Sequence, residues 1–199
     1  MFPEFVPFKK VPRLSRIVTV TEKLDGTNAQ IYIEHYPEPR GVYAHLDEVG
    51  MFHNIHAGSR NRWLSVDNDN FGFAKWVQEN GEELVKLGPG HHYGEWWGRG
   101  IQRGYGLEER RFSLFNVHKW SYATAPKCCH VVPILGEFVF DTNNIEDVVD
   151  DLRTNGSVAV PGYMNPEGII IYHTALNSYF KKTLEDDESG KVSHANVEK

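Results

Sequence analysis

The sequence predicts an α+β domain built on antiparallel sheets. Two observations lead there. Runs rich in β-branched and aromatic residues recur along the 199-residue chain. Only two segments carry helical periodicity, and they are interspersed among the strands.

Strand signals fall at 16–22, 29–34, 111–117, 135–140, 168–173 and 178–184. The first helix is expected over roughly 71–87, with Gly81 weakening its middle. The second begins near Asn144, where Ile145, Val148, Val149 and Leu152 share one face and Gly156 supplies a stop. The acidic residues among 146–151 then form its solvated outer face. The stretch from Pro37 to Asn70 mixes Pro, Gly, His and Asn with little periodicity and resists assignment. Long irregular stretches often border sites. His53 and His56 are three apart, not at the spacing of a helical zinc pair, and read as ordinary loop histidines.

Composition narrows the function classes. A content of 40% hydrophobic and 24% charged residues fits one globular domain over 1–199 and excludes a disordered chain. No run has the length of a membrane span, and the first residues lack a signal peptide's apolar core, so a soluble cytoplasmic protein is expected. The two cysteines, Cys128 and Cys129, are neighbours and make a poor disulfide; they lack a second pair at zinc spacing. Net charge is −6, but five acids lie within 141–152 and four at 185–188. Setting those nine aside leaves 18 acids against 21 bases. Lys9, Lys10, Arg13 and Arg16 form one basic group; Arg99, Arg103, Arg110 and Arg111 form another. Such patches meet phosphates even on an acidic protein, although each alone reads equally as solvated surface.

The sharpest local feature is KLDGTN at 23–28, with strand signals on both sides. Asp25-Gly26 is a strong turn pair, so Lys23 is expected where a strand enters a tight turn. Alone, this reads as a β-hairpin with an exposed lysine. KLDGTN also resembles motif I of the covalent nucleotidyltransferases, which comprise RNA ligases, DNA ligases and mRNA-capping enzymes. Thr27-Asn28 is most similar to the RNA-ligase branch. Further motifs follow in the family's order: GSR at 58–60, YGEWWG at 93–98, RFSLFNV at 111–117, EGIIIYH at 167–173 and YFKKTLE at 179–185. Each is weak by itself; six in order are strong together.

The resemblance implies a nucleotidyltransferase (adenylation) domain, with antiparallel sheets flanked by helices around an ATP cleft. It implies an ATP-dependent RNA ligase that forms lysyl-AMP on Lys23, passes AMP to a 5′-phosphate end and seals that end with a 3′-hydroxyl. The expected ATP-binding set is Glu22, Lys23, Asn28, Arg60, Glu95, Phe115, Glu167, Lys181 and Lys182. Glu95 would accept from ribose hydroxyls, Phe115 would stack on adenine, and Arg60 and Asn28 would hold phosphates or the incoming end. Glu167 would hold Mg2+ (or Mn2+) through water, since magnesium keeps several waters. The chemistry agrees. A lysine is protonated at neutral pH in ordinary surroundings, and nearby positive charge frees the amine for attack.

Three departures qualify the match. Tyr172 stands where related ligases often carry a lysine. The lysines of the last motif are adjacent, so on a strand Lys181 and Lys182 point to opposite faces; Lys181 follows the aromatic and is the favoured phosphate contact. Only 14 residues follow Glu185, too few for the OB-fold domain of DNA ligases and capping enzymes, so either a single-domain ligase or an excised adenylyltransferase domain of one is expected. The remaining readings are a GTP-dependent capping-type guanylyltransferase, a small DNA ligase, and a nucleic-acid-binding module without activity. The expected partners are RNA ends, free or in a nicked duplex. Oligomeric state is left open.

Overall fold

The computed structural model describes residues 2–185 and has the expected α+β architecture. Strand β1 (Ile17–Lys23) is central in a four-stranded sheet. It lies between β9 (Ile134–Val139) and β10 (Gly168–His173), and β11 (Ser178–Thr183) forms the outer edge. All its pairings are antiparallel. The second sheet is larger. It is ordered β3 (Tyr43–Leu46), β4 (Phe52–Ser59), β2 (Thr27–Tyr36), β6 (Gly90–Gly98), β7 (Arg110–Leu114) and β8 (His130–Val131), with β5 (Trp63–Leu64) paired to β4. Its β7–β8 pair is parallel, a departure from the purely antiparallel expectation.

Period-two alternation builds both cores. On β1, Val18 and Val20 face helix α3 (Thr142–Asn155) and pack with Ile145, Val149, Leu152, Ile169 and Ile171. Asp141 caps that helix through Asn143 N (2.8 Å), and Gly156 ends it at φ 79°. On β2, Ala29, Ile31 and Ile33 pack with Ile55 and Ala57 of β4 and with Phe73, Ala74 and Val77 of α1 (Phe73–Glu79).

The structure corrects four expectations. KLDGTN is not a hairpin, because β1 and β2 belong to different sheets; residues 24–26 carry the chain from one sheet to the other. The predicted helix over 71–87 is divided into α1, α2 (Gly81–Leu84) and a 3-10 turn (Val85–Leu87), with the break at Asn80. Residues 37–70 hold three strands, and His53 and His56 lie on β4 rather than in a loop. Each histidine has a carboxylate partner, Asp47 at 3.2 Å and Glu34 at 3.0 Å. Strand β6, carrying YGEWWG, lies between β2 and β7 in the large sheet, where the sequence carries no strand signal. Both cysteines are free. No helix among the described residues is long and apolar enough to cross a membrane.

Candidate active site

The site forms where the two sheets meet. The cleft face of β1 carries Thr19, Thr21 and Lys23, opposite in sense to Val18, Val20 and Glu22. Lys23 pairs in register with Gly168, which places Glu167 beside it. The Lys23 ammonium and the Glu167 carboxylate form an ion pair, both side chains about four-fifths covered. Gly168 holds φ 154°, and a Cβ there would lie 2.2 Å from the Lys182 carbonyl oxygen. The Glu-Gly pair is thus a glutamate delivered by a backbone that must approach β11 closely.

Gly26 serves the same end. Its φ is not positive, so the requirement is space rather than turn geometry. A Cβ would meet the Trp96 carbonyl oxygen at 2.5 Å and Trp97 Cβ at 2.6 Å. This close crossing brings Lys23 next to Glu95 on β6. Burial lifts the Glu95 carboxyl to about 7; Lys23, the Gly26 N–H and Asn28 oppose the rise, and Glu167 adds to it. Asn28 is the register partner of Glu95 and donates to it from Nδ2 (3.1 Å). Arg60, just past the end of β4, donates to Asn28 Oδ1 from Nε (2.8 Å) and from Nη2. Glu95, Asn28 and Arg60 are thus linked by hydrogen bonds, and the Lys23–Glu167 ion pair lies within the electrostatic reach of Glu95.

Phe115 lies just past β7. It packs against the cluster of Leu24, Trp97, Tyr105 and Val132, and it lines a hollow with Thr19, Thr21, Ile170, Tyr172 and Tyr179. Tyr172, standing where a lysine occurs in related ligases, is part of this lining and donates to Asn177 Oδ1 (2.9 Å). On β11 the two lysines separate as alternation requires. Lys181 pairs with Ile170 on the cleft side, whereas Lys182 pairs with Ile169 and reaches Glu146 of α3 at 2.9 Å.

Glu22 is buried on the side away from the cleft. It accepts from Ser157 Oγ (2.6 Å), Val158 N (2.9 Å) and Ala159 N (2.8 Å). Burial raises its pKa against these three bonds. Its side chain thereby pins the loop between α3 and β10, the loop that delivers Glu167.

Sequence reasoning missed the supports of residues 24–26. Tyr105 is buried, and its hydroxyl accepts from Asp25 N (2.9 Å). Arg103 pairs with Asp25 (3.0 Å), donates to Asn165 O (3.3 Å) and approaches Glu185 (3.8 Å). The basic grouping around Arg103 was visible in the sequence, but its direction toward Asp25 was not. Arg110 and Arg111 of that grouping instead serve Phe71 O and Glu109.

One local observation bears on a divalent cation, although no group of three or more His, Cys, Asp or Glu side chains that could hold a metal ion occurs among the described residues. Glu167 Oε2 is buried with no hydrogen-bond partner among the described residues, and a buried carboxylate oxygen in that condition is suited to a cation or its water. Glu95 is the second carboxylate within the same electrostatic neighbourhood.

Both the sequence and the fold have relatives among known proteins. The RNA ligase family model matches residues 16–191. Among solved structures, a Naegleria gruberi RNA ligase mutant with AMP and Mn superposes with a TM-score of 0.58 at 19% identity, covering 96% of this chain and 60% of that one. The Naegleria gruberi RNA ligase with PPi gives 0.57 at 19%, covering 95% and 60%. A mutant with ATP and Mn gives 0.55 at 18%, covering 88% and 52%. This chain thus spans about three fifths or less of those chains, and the likeness at such identity is one of fold. A comparison with curated proteins returns no match. The family match spans most of the sequence and includes all six motifs, so the chain belongs to the RNA ligase family.

Proposed function

We propose that this protein is an ATP-dependent RNA ligase that works through a lysyl-AMP intermediate on Lys23. The observation that carries the reading is the placement of Lys23 against Glu167, with Glu95, Asn28 and Arg60 in one chain beside it. In the first step Lys23 Nζ, having lost a proton to solvent, attacks the α-phosphorus of ATP. A P–N bond forms, the bond to the β-phosphate oxygen breaks, and pyrophosphate leaves with the electron pair. In the second step a 5′-phosphate oxygen attacks the same phosphorus; the P–N bond breaks and Nζ regains a proton. In the third step a 3′-hydroxyl attacks the activated 5′-phosphate and loses its proton. A phosphodiester forms and AMP leaves.

The chain's own groups divide the work. Glu167 holds the Lys23 ammonium before reaction. Glu167 would hold a divalent cation, whose positive charge would compete with that ammonium and offset charge on the phosphates. Lys181, on the cleft side of β11, stabilises charge that grows on the α-phosphate oxygens. Phe115 offers a ring to the base at the hollow, and Glu95 accepts from the ribose. Asn28 and Arg60 hold phosphate oxygens or the incoming end.

The test is incubation with each α-labelled nucleoside triphosphate plus magnesium, then sealing of matched nicks that differ only in the sugar of the 3′-hydroxyl strand. The expected result is covalent labelling by ATP well above GTP, and faster joining of the RNA end. Preferential labelling by GTP moves the protein to the capping class. Faster sealing of all-DNA nicks makes it a DNA ligase, and no labelling of folded, AMP-free protein leaves a binding module.

A further inference from the structure

The large sheet has two unlike faces. Ala29, Ile31 and Ile33 of β2 face the helices and are buried. The alternate residues, Asn28, Gln30, Tyr32 and Glu34, line the opposite face, which no helix covers among the described residues. That face begins at the active site with Asn28, Glu95 and Arg60. It continues outward through Gln30, which donates to Ser59 O (3.2 Å) and contacts His91 Nδ1 (3.3 Å). One step further, His56, Tyr32 and His91 stand level across β4, β2 and β6. Tyr32 meets His91 at 4.5 Å between ring centroids, His56 at 5.8 Å and Trp63 at 6.2 Å. His91 stacks on Tyr93 within 6° of parallel.

Cross-strand pairing accounts for Tyr32, which is half-buried. It does not account for Trp63 and Tyr93, which leave 52% and 55% of their surface in water. The backbone also makes room for the indole. Gly58 is the register partner of Trp63, and a Cβ there would meet Trp63 Cε3 at 3.1 Å and Gln30 Cγ at 2.7 Å. Arg60 lies on Asn28 at the end nearer the active site, and the Glu34 carboxylate at the far end contacts His56 Nε2 at 3.0 Å.

We infer that this aromatic face is a stacking platform for single-stranded RNA that leads a strand to or from the Asn28–Arg60 end of the active site. The inference rests on the RNA-ligase reading for the identity of the polymer. An open sheet face with exposed rings stacks unpaired bases without reading their sequence, and base–ring stacking does not operate on bases held inside a duplex. Tyr32 lies four residues along β2 from Asn28, about 13 Å at the usual rise. The rings would therefore hold about two or three bases that lie just beyond the joined end. The docking partner is fixed by continuity with the active site, by the Arg60 cation at that end, and by ring faces that suit bases.

The test compares wild type with the Trp63→Leu/Tyr93→Leu double variant. Leucine keeps apolar bulk and removes the flat ring. Fluorescence anisotropy reads binding of one labelled RNA as a single strand and as a duplex. Lysyl-AMP formation, which needs no RNA, reports the active site separately. The expected result is single-strand binding weakened about 10-fold or more, with duplex binding and lysyl-AMP formation within about twofold of wild type. Tyr93→Leu alone carries the same comparison if the double variant does not fold. Unchanged single-strand binding overturns the platform, and so does equal loss for single strand and duplex. A wild type that is dimeric while the variant is monomeric also overturns it, by making the face a contact between copies. Lysyl-AMP formation with unaltered RNA binding leaves the ligase reading standing without the platform. Selective loss of single-strand binding in a protein that never forms lysyl-AMP leaves the platform standing without the ligase.

Discussion

Glu95 lies beside both Lys23 and Glu167, and burial holds its carboxyl at about 7. The consequence for stability has a definite sign. The folded chain keeps the Glu95 proton up to about 7, whereas the unfolded chain releases it near 4.5. Between these values the folded state binds more protons, so this group's contribution falls as pH rises. Glu95→Gln removes that loss. Chemical denaturation across this window should show wild type losing about 3 kcal/mol relative to Glu95→Gln. Parallel pH profiles would show that Glu95 titrates as an ordinary carboxylate. Burial also raises the Glu22 pKa, and that contribution, common to both proteins, cancels in their difference. Glu22 has its own test. Glu22→Gln weakens the acceptor for Ser157, Val158 and Ala159, and it should lower stability by about 1–3 kcal/mol in urea denaturation.

At the scale of the element, strand β11 separates two neighbouring lysines. Lys182→Ala should lower stability by no more than about 1 kcal/mol, as expected for a partly exposed ion pair with Glu146, and should retain lysyl-AMP formation. Lys181→Ala should slow transfer chemistry by about 100-fold or more, even with a pre-adenylylated 5′-end, in a single-turnover assay. Equal defects in the two variants would contradict the facing. This separation was legible in the sequence, because strand alternation is a local rule and the run is short. The same rule failed for β6. Its GHHYG segment offers glycine and histidine in place of β-branched residues, and Gly94 is there to admit the Phe112 ring, which a Cβ would meet at 2.6 Å. It failed again for β4, where Asn54 is buried and spends its side chain on Arg40 N (2.7 Å) and Glu38 O (2.9 Å). Gly81 marked the weak point of the first helix, and the break falls beside it at Asn80.

At the scale of the molecule, the site is a property of two sheets held together. The six motifs were legible because each is a short strand or turn with its own residues. Their juxtaposition was not, since nothing local in KLDGTN tells whether Asp25-Gly26 closes a hairpin or crosses between sheets. The crossing is held by contacts distant in sequence, Asp25 N to Tyr105 and the Asp25 carboxylate to Arg103. Arg103→Ala should therefore slow lysyl-AMP formation while leaving the fold intact by circular dichroism, because Arg103 holds Asp25 and the Asn165 carbonyl of the Glu167 loop and is a member of none of the three hydrophobic clusters. An unchanged rate would show that Tyr105 and Gly26 suffice to position Lys23. Glu167 belongs to this scale as well, delivered by a loop that is itself anchored on Glu22, the residue before Lys23. The central claim is that Lys23 is the covalent nucleophile. The most direct measurement is mass spectrometry of AMP-free wild type and Lys23→Ala after incubation with ATP and magnesium, with peptide mapping of any adduct. The account predicts one AMP on Lys23 in wild type and none in the variant; an adduct that persists in Lys23→Ala, mapped to another lysine, would contradict it.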